Sequence, residues 1–242
     1  MRSSTARAEL ESLLKARKLD VTLTSAAPWT VSTAPEGLRD EDVAATGMPG
    51  VDAALGGGFR RGHLSEIVGA RSSGRTSVMC RALARAVSRG ELVALIDPCD
   101  RFDPSSAAML GLDLSRLLWV RDTGDPARAI KATNLVLQAG GFGVVVLDLA
   151  DLPLPAVRGL PFTTWFRLSR VIEGSATTAV LVASEHVARS AGGATIWMDR
   201  TACPAAIWSG IHSNRARLLN GIEMKPRVGT GAALPRPVGQ GV

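Results

Sequence analysis

Residues 66–77 read EIVGARSSGRTS. An apolar strand runs into Gly69, four residues follow, and then come Gly74, a cation at Arg75 and hydroxyls at Thr76 and Ser77. Glycines at this spacing bend a loop so that successive backbone N–H groups converge on one point. A helix that starts just beyond the loop adds its positive end. This is how a phosphate-binding loop is built, and the strand–loop–helix setting is the one it requires. Thr76 stands where the hydroxyl that ligates Mg²⁺ belongs. The departure is Arg75. The pattern asks for lysine, a thin stem whose point charge slides between the β- and γ-phosphates, whereas a guanidinium is a wider planar fork. Attraction for phosphate survives that change, but efficient hydrolysis is not expected to.

The chain around this loop alternates regularly. Upstream, TGMPGVDAALGGGFRRGHLSEIVG predicts a short helix at 50–55, a glycine turn at 56–58 and a strand at 64–68. Downstream, a helix is expected from Thr76 to about Ser88, strands at 91–97 and 117–122, and helices at 105–112 and 125–140. The run GVVVLDLA (143–150) is continuously apolar and reads as a buried strand, as does TTAVLVAS (177–184), with a helix at 163–174 between them. Strands alternating with helices imply an α/β fold with a mostly parallel sheet covered on both faces. ATIWMD, AAIWS and ARLLNGIEM suggest further strands, antiparallel at an edge. The domain division expected is an amphipathic helix and linker arm at 1–45, a core at 46–225 and a Pro/Gly-rich disordered tail at 226–242.

Asp148 ends the apolar strand GVVVLD, where a carboxylate that supports Mg²⁺ would sit; the plain alternative is an ordinary strand-end aspartate. The nucleotide site implied is therefore Gly69, Ser72, Ser73, Gly74, Arg75, Thr76, Ser77 and Asp148, with Thr76 and Asp148 toward the metal and ATP as the nucleotide. The helix at 163–174 carries Trp165, Leu168 and Ile172 on one face, which reads as core; the rival reading has Phe162 and Trp165 stacking on bases.

Composition narrows the class. The 242 residues are 46% hydrophobic, enough for a large α/β domain, and no apolar run reaches membrane-spanning length. Three widely spaced cysteines make neither a disulfide nor a metal framework. The N-terminus MRSSTARAELESLLKARK has no apolar signal core, so a cytoplasmic, nucleoid-associated protein is expected. Lys and Arg number 28 against 22 Asp and Glu, a net charge of +6 that permits weak, salt-sensitive contact with nucleic acid. Arg158, Arg167, Arg170 and Arg189 are the candidates for that contact.

TGMPGVDAALGGGFRRGHLSEIVGARSSGRTS and LVALIDPCDRFDPSSAAMLGLDLSRLLWVRD resemble the P-loop region of the RecA recombinase family and the strand and helix that follow it. The resemblance is good over about residues 46–150 and looser beyond. It implies a RecA-like core that binds ATP and Mg²⁺. It puts the family's water-activating carboxylate at Cys99, its sensor glutamine at Glu185 and its paired basic residues near Lys225 and Arg227. Arg75, Cys99 and Glu185 thus depart together, and a thiol cannot replace a carboxylate as base for water. The DNA loops are also shortened, the second to HVARSAGGA (186–194).

A shortened RecA relative carrying LDLSRLLWVR and VRGLPFTTWFRLSR is similar to the ImuA family, accessories of SOS mutagenesis. That resemblance implies error-prone translesion synthesis, with RecA and an ImuB-type polymerase homologue as partners. Two other readings stay open: an active DNA-dependent ATPase of the recombinase class, and a RecA-like regulatory module unconnected to DNA.

Residues 6–19, ARAELESLLKARKL, set Leu10, Leu13 and Leu14 at helical spacing. This helix packs either on its own domain or on a partner. If it docks, deleting residues 1–24 weakens self-association or partner binding in sedimentation and pull-down assays and leaves the core folded. Unchanged association would remove the docking reading.

Overall fold

The computed structural model describes residues 39–122, 124–188, 193–198, 206–209, 218–222 and 226–230, all within the compact unit that begins at Glu36. The helix expected at 6–19 lies outside them, as does Arg189.

The elements run in chain order as β1 (Val43–Ala44), α1 (Pro49–Leu55), β2 (Phe59–Arg60), β3 (Leu64–Gly69), α2 (Arg75–Ser88) and β4 (Leu92–Asp97). Next come α3 (Pro104–Met109), β5 (Leu117–Arg121), α4 (Pro126–Ala139), β6 (Phe142–Asp148), α5 (Leu154–Arg158), α6 (Thr163–Ile172) and β7 (Thr178–Ala183). The last strands are β8 (Ala194–Met198), β9 (Ala206–Ser209), β10 (Leu218–Ile222) and β11 (Arg227–Thr230).

Seven strands form one sheet in the order β11-β8-β3-β7-β6-β4-β5. Every neighbouring pair is parallel except β11 with β8. This is the mostly parallel α/β architecture expected. The path explains where the helices lie. From β3 the chain steps over two strand positions to β4 and on to β5, then turns back through β6 and β7. Right-handed crossovers put helices on opposite faces for opposite directions of travel. The cores agree. Val78, Met79 and Leu83 of α2 and Ala107 of α3 pack on Ile67, Val93, Leu95, Val144, Val146, Val180 and Val182. Ala129 and Val136 of α4, Val157 of α5, and Trp165, Leu168 and Ile172 of α6 pack on Ala94, Ile96, Val145, Leu147, Ala179 and Leu181. Alternate residues of the same strands thus feed the two faces, as the period of two requires.

Local sequence sets the helix ends. Asp125 accepts from Ala127 N (2.9 Å) and Pro126 takes the first turn of α4. Asp103 and Pro104 do the same for α3, with Asp103 accepting from Ser105 N (3.0 Å).

Four expectations are corrected. The arm does not extend to residue 45: β1 pairs with β2, and Val43 and Ala44 are buried. The tail does not begin at 226, because Arg227–Thr230 pair with Ala194–Trp197 as an edge strand; the edge is where a flanking proline such as Pro226 is tolerated. β8, expected at an antiparallel edge, lies parallel beside β3. The antiparallel pairing that was expected does appear in β9 with β10, a separate two-stranded sheet. The helix expected at 105–112 stops at Met109, where Leu110 and Gly111 close a turn onto Ala107 and Ala108.

Trp165 is 3% exposed and belongs to the core, so it offers no ring to a base. Its neighbour Phe166 is 52% exposed. Trp165→Ala is expected to cost about 3–5 kcal/mol and Phe166→Ala less than about 0.5 kcal/mol in urea unfolding. Equal costs would place both rings in the core.

Candidate phosphate-binding site

β3 ends inside the sheet between β7 and β8, and the chain turns there into α2. The turn is tight. A Cβ on Gly69 would lie 2.4 Å from Ser73 Oγ and 2.8 Å from Met198 Cβ, so only glycine fits between the loop and β8. Ser72 (φ 60°) and Gly74 (φ 91°) both take the left-handed region, and Ser73 N donates to Ala70 O (3.2 Å). Such alternation curls backbone N–H groups into an anion-sized hollow. Ser73 is buried beneath the loop, while Ser72 and Thr76 face solvent. The loop opens onto a cleft of about 490 Å³ lined by Arg71, Ser72, Gly74, Arg75, Thr76, Ser77 and Asp151.

Arg75 does not reach into this cleft as a free cation. It is 6% exposed, and its Nη1 donates to Gly69 O (2.7 Å), across the mouth of its own loop. Its Nη2 donates to Asp151 Oδ1 (2.9 Å), and Arg71 Nε donates to the same oxygen (3.1 Å). Asp151 was not among the site residues expected from sequence, and it is the charge that organises them. It lies three residues beyond β6, in the turn before α5, brought to the loop by the adjacency of β6, β7 and β3.

Asp148 closes β6 and accepts from Ala150 N (3.0 Å). It is not among the residues lining the cleft. Burial is the main cause raising its carboxyl from 3.8 to about 6; Asp97 and Asp151 add to the rise, and the Ala150 N–H and Arg75 oppose it. Asp97, 2% exposed, accepts from Arg101 N (3.1 Å) and Phe102 N (2.9 Å) and so fixes the turn that carries Cys99. The Cys99 thiol is pushed up by burial first and then by Asp151, Asp97 and Asp148. A thiol shifted in this direction is a poorer source of thiolate than a free one, and it offers no carboxylate base for water. Among the described residues, no group of three or more His, Cys, Asp or Glu side chains is arranged to hold a metal ion.

The remaining candidates are scattered. Glu185, in the segment after β7, forms an ion pair with Arg158 at the end of α5. Arg167 and Arg170 lie on α6, away from Arg158, and Arg170 pairs with Glu173 (3.0 Å). One structural carboxylate was missed by sequence reasoning. Glu66, fully buried in β3, accepts from Val187 N (3.1 Å) and Ala188 N (2.8 Å) and lies against His186. It pins the chain that follows Glu185 beneath the strand leading to the loop. A glutamate inside an apolar strand, three residues before the loop glycine, was the available signal.

The raised carboxyl of Asp148 has a consequence for stability. The folded state holds that proton more tightly than the unfolded chain, so this group favours folding below about pH 4, and its contribution falls as pH rises to about 6. Asp148→Asn should therefore stabilise the protein near neutral pH by up to about 3 kcal/mol and give little gain near pH 4, read by urea unfolding. An equal effect at both pH values would contradict the shift.

The chain is 36% identical over 115 residues to protein RecA of Francisella philomiragia subsp. philomiragia, a match covering 47% of this chain and 31% of that protein. The corresponding figures for protein RecA of Francisella tularensis subsp. novicida are 35%, 47% and 32%. The match thus spans about a third of the length of these relatives. A crystal structure of the RadB recombinase is similar over 64% of this chain and 70% of its own, at 18% identity and a TM-score of 0.49. A family model described as the RecA N-terminal domain matches residues 34–157, just over half of the chain, and the chain belongs to that family.

Proposed function

We propose that this RecA-domain chain is an accessory of error-prone translesion DNA synthesis, of the ImuA kind. It acts as an adaptor for protein partners at damaged DNA, with RecA and an ImuB-type polymerase homologue as those partners. The observation that carries the reading is the ion pair of Arg75 with Asp151. A nucleotide-hydrolysing site needs a free cation to grip the β- and γ-phosphates and a base to activate water. Here the cation is already bound to Asp151 and to Gly69 O, and the thiol at Cys99 offers no carboxylate base for water. Phosphates that use this cation must displace the Asp151 carboxylate from it. The residues present therefore do not fit tight binding of ATP with Mg²⁺.

The loop nonetheless keeps its shape, because Arg75 and Asp151 supply internally the charges that a lysine and a phosphate supply elsewhere. An adaptor needs the fold and not the turnover. The rival reading is an active DNA-dependent ATPase; it draws on the curled loop, on Thr76 at the cleft and on Asp148 nearby.

Calorimetric nucleotide binding and steady-state hydrolysis, with and without single-stranded DNA, separate the two. Wild type should hydrolyse at background. Arg75→Lys alone should gain little, since Asp151 captures the new ammonium. Arg75→Lys with Asp151→Ala should bind ATP at least about tenfold more tightly yet remain slow, and adding Cys99→Glu should raise turnover, since base assistance is worth about 10²–10⁴-fold. Brisk hydrolysis by wild type would replace the adaptor with the enzyme.

A further inference from the structure

α4 and α6 lie side by side on one face of the sheet, and their outer surfaces form a groove of about 510 Å³. Asn134 and Gln138 of α4 make one wall; Phe166, Arg167, Arg170 and Val171 of α6 make the other. Apolar side chains crowd this solvent face. Phe162 is 47% exposed, Phe166 52% and Leu135 57%. An exposed cluster of this kind on an otherwise well-packed domain marks a contact surface.

The charge on the two helices themselves has one sign. Within their spans the two helices carry Arg128, Lys131, Arg167 and Arg170 and no aspartate or glutamate. Arg128 is paired with Asp122 (2.9 Å) and Arg170 with Glu173 (3.0 Å). Lys131 and Arg167 have no ion-pair partner among the described residues. An occupant must therefore bring apolar groups for the groove and negative charge for its rim.

Two occupants meet that description in outline, and the ring geometry chooses between them. Phe162 and Phe166 meet edge to face, with centroids 4.9 Å apart and planes at 83°. One ring's face is thus taken by the other's edge, whereas nucleobases stack on open faces along a continuous cationic track. Two uncompensated cations make a short track. A concave groove between two helices suits side chains that project from a third helix at three- and four-residue intervals.

We propose that the α4–α6 groove is the docking site for an acidic amphipathic helix of a protein partner, with Phe166 as the apolar contact and Lys131 and Arg167 as the charge readers. The proposal rests on the adaptor reading and gives it a surface.

The test uses the full chain and fluorescein-labelled peptides about four turns long. They carry Leu, Phe or Trp at helical spacing with Asp and Glu elsewhere, beside lysine-substituted counterparts and a labelled oligothymidylate. Fluorescence anisotropy should show saturable binding of at least one acidic peptide and none of its lysine counterpart. Phe166→Ala and Arg167→Glu should each weaken it at least about tenfold, with Arg167→Glu also flattening its salt dependence. Unfolding curves of both variants show that they fold. The proposal is overturned if no acidic peptide binds, or if the two variants bind as wild type does. It is equally overturned if oligothymidylate alone depends on Phe166, which makes the face a nucleic-acid site, or if Phe166→Ala only dissolves self-association, which makes the occupant a second copy. Failure of the adaptor reading shows elsewhere, as ATP turnover by wild type, so the two failures are distinguishable.

Discussion

One ion pair sets the character of the site. Arg75 is almost fully covered, and a covered guanidinium requires a counter-charge and acceptors for its N–H groups. It finds Gly69 O on one side and Asp151 on the other. Both belong to the protein, so the loop's positive charge is satisfied without a ligand. The same carboxylate also draws in Arg71 from the surface. What would be a cationic mouth becomes a closed network of two arginines and one aspartate, with Asp148 and Asp97 behind it.

That network depends on the sheet. The loop follows β3, Asp148 ends β6 and Asp151 lies just beyond it, and Cys99 follows β4; β7 separates the first two strands and β4 adjoins β6. All these strands run parallel, so their C-terminal ends open on one side, where ligands of open α/β sheets bind. The fold thus brings the same positions together whether or not the chemistry at each is retained. A guanidinium at Arg75 and a thiol at Cys99 set what these positions can do without altering the scaffold that displays them. The far side of the molecule is a separate matter. The outer face of α4 and α6 owes its exposed rings to the helices that cover the sheet, and nothing at the loop constrains it.

Much of this could be read from the residues. Continuous apolar runs marked β6 and β7, glycine spacing marked the loop, and the departure at Arg75 was visible on inspection. Asp151 was not, because its partner is 76 positions away and nothing local distinguishes DLADLP from an ordinary turn. Only the β3–β7–β6 order makes the pair. β11 was hidden by a Pro/Gly-rich composition, since an edge strand of four residues gains its order from β8 rather than from its own propensity. The β1–β2 ribbon, two residues on each side, is too short for any periodicity to register. On α6, helical spacing put Trp165 in the core, where it lies, but the exposed Phe166 beside it was not weighed.

Arg75 is bound internally and is expected to stay so in the presence of nucleotide. The guanidinium N–H resonances of Arg75 report this directly. In labelled protein, assigned through Arg75→Lys, they should be protected from solvent exchange and unmoved by excess ATP with Mg²⁺. They should collapse to fast exchange in Asp151→Ala. A saturable shift of the Arg75 signals on adding nucleotide to wild type, with release of Asp151, would contradict the account and make the loop a working phosphate site.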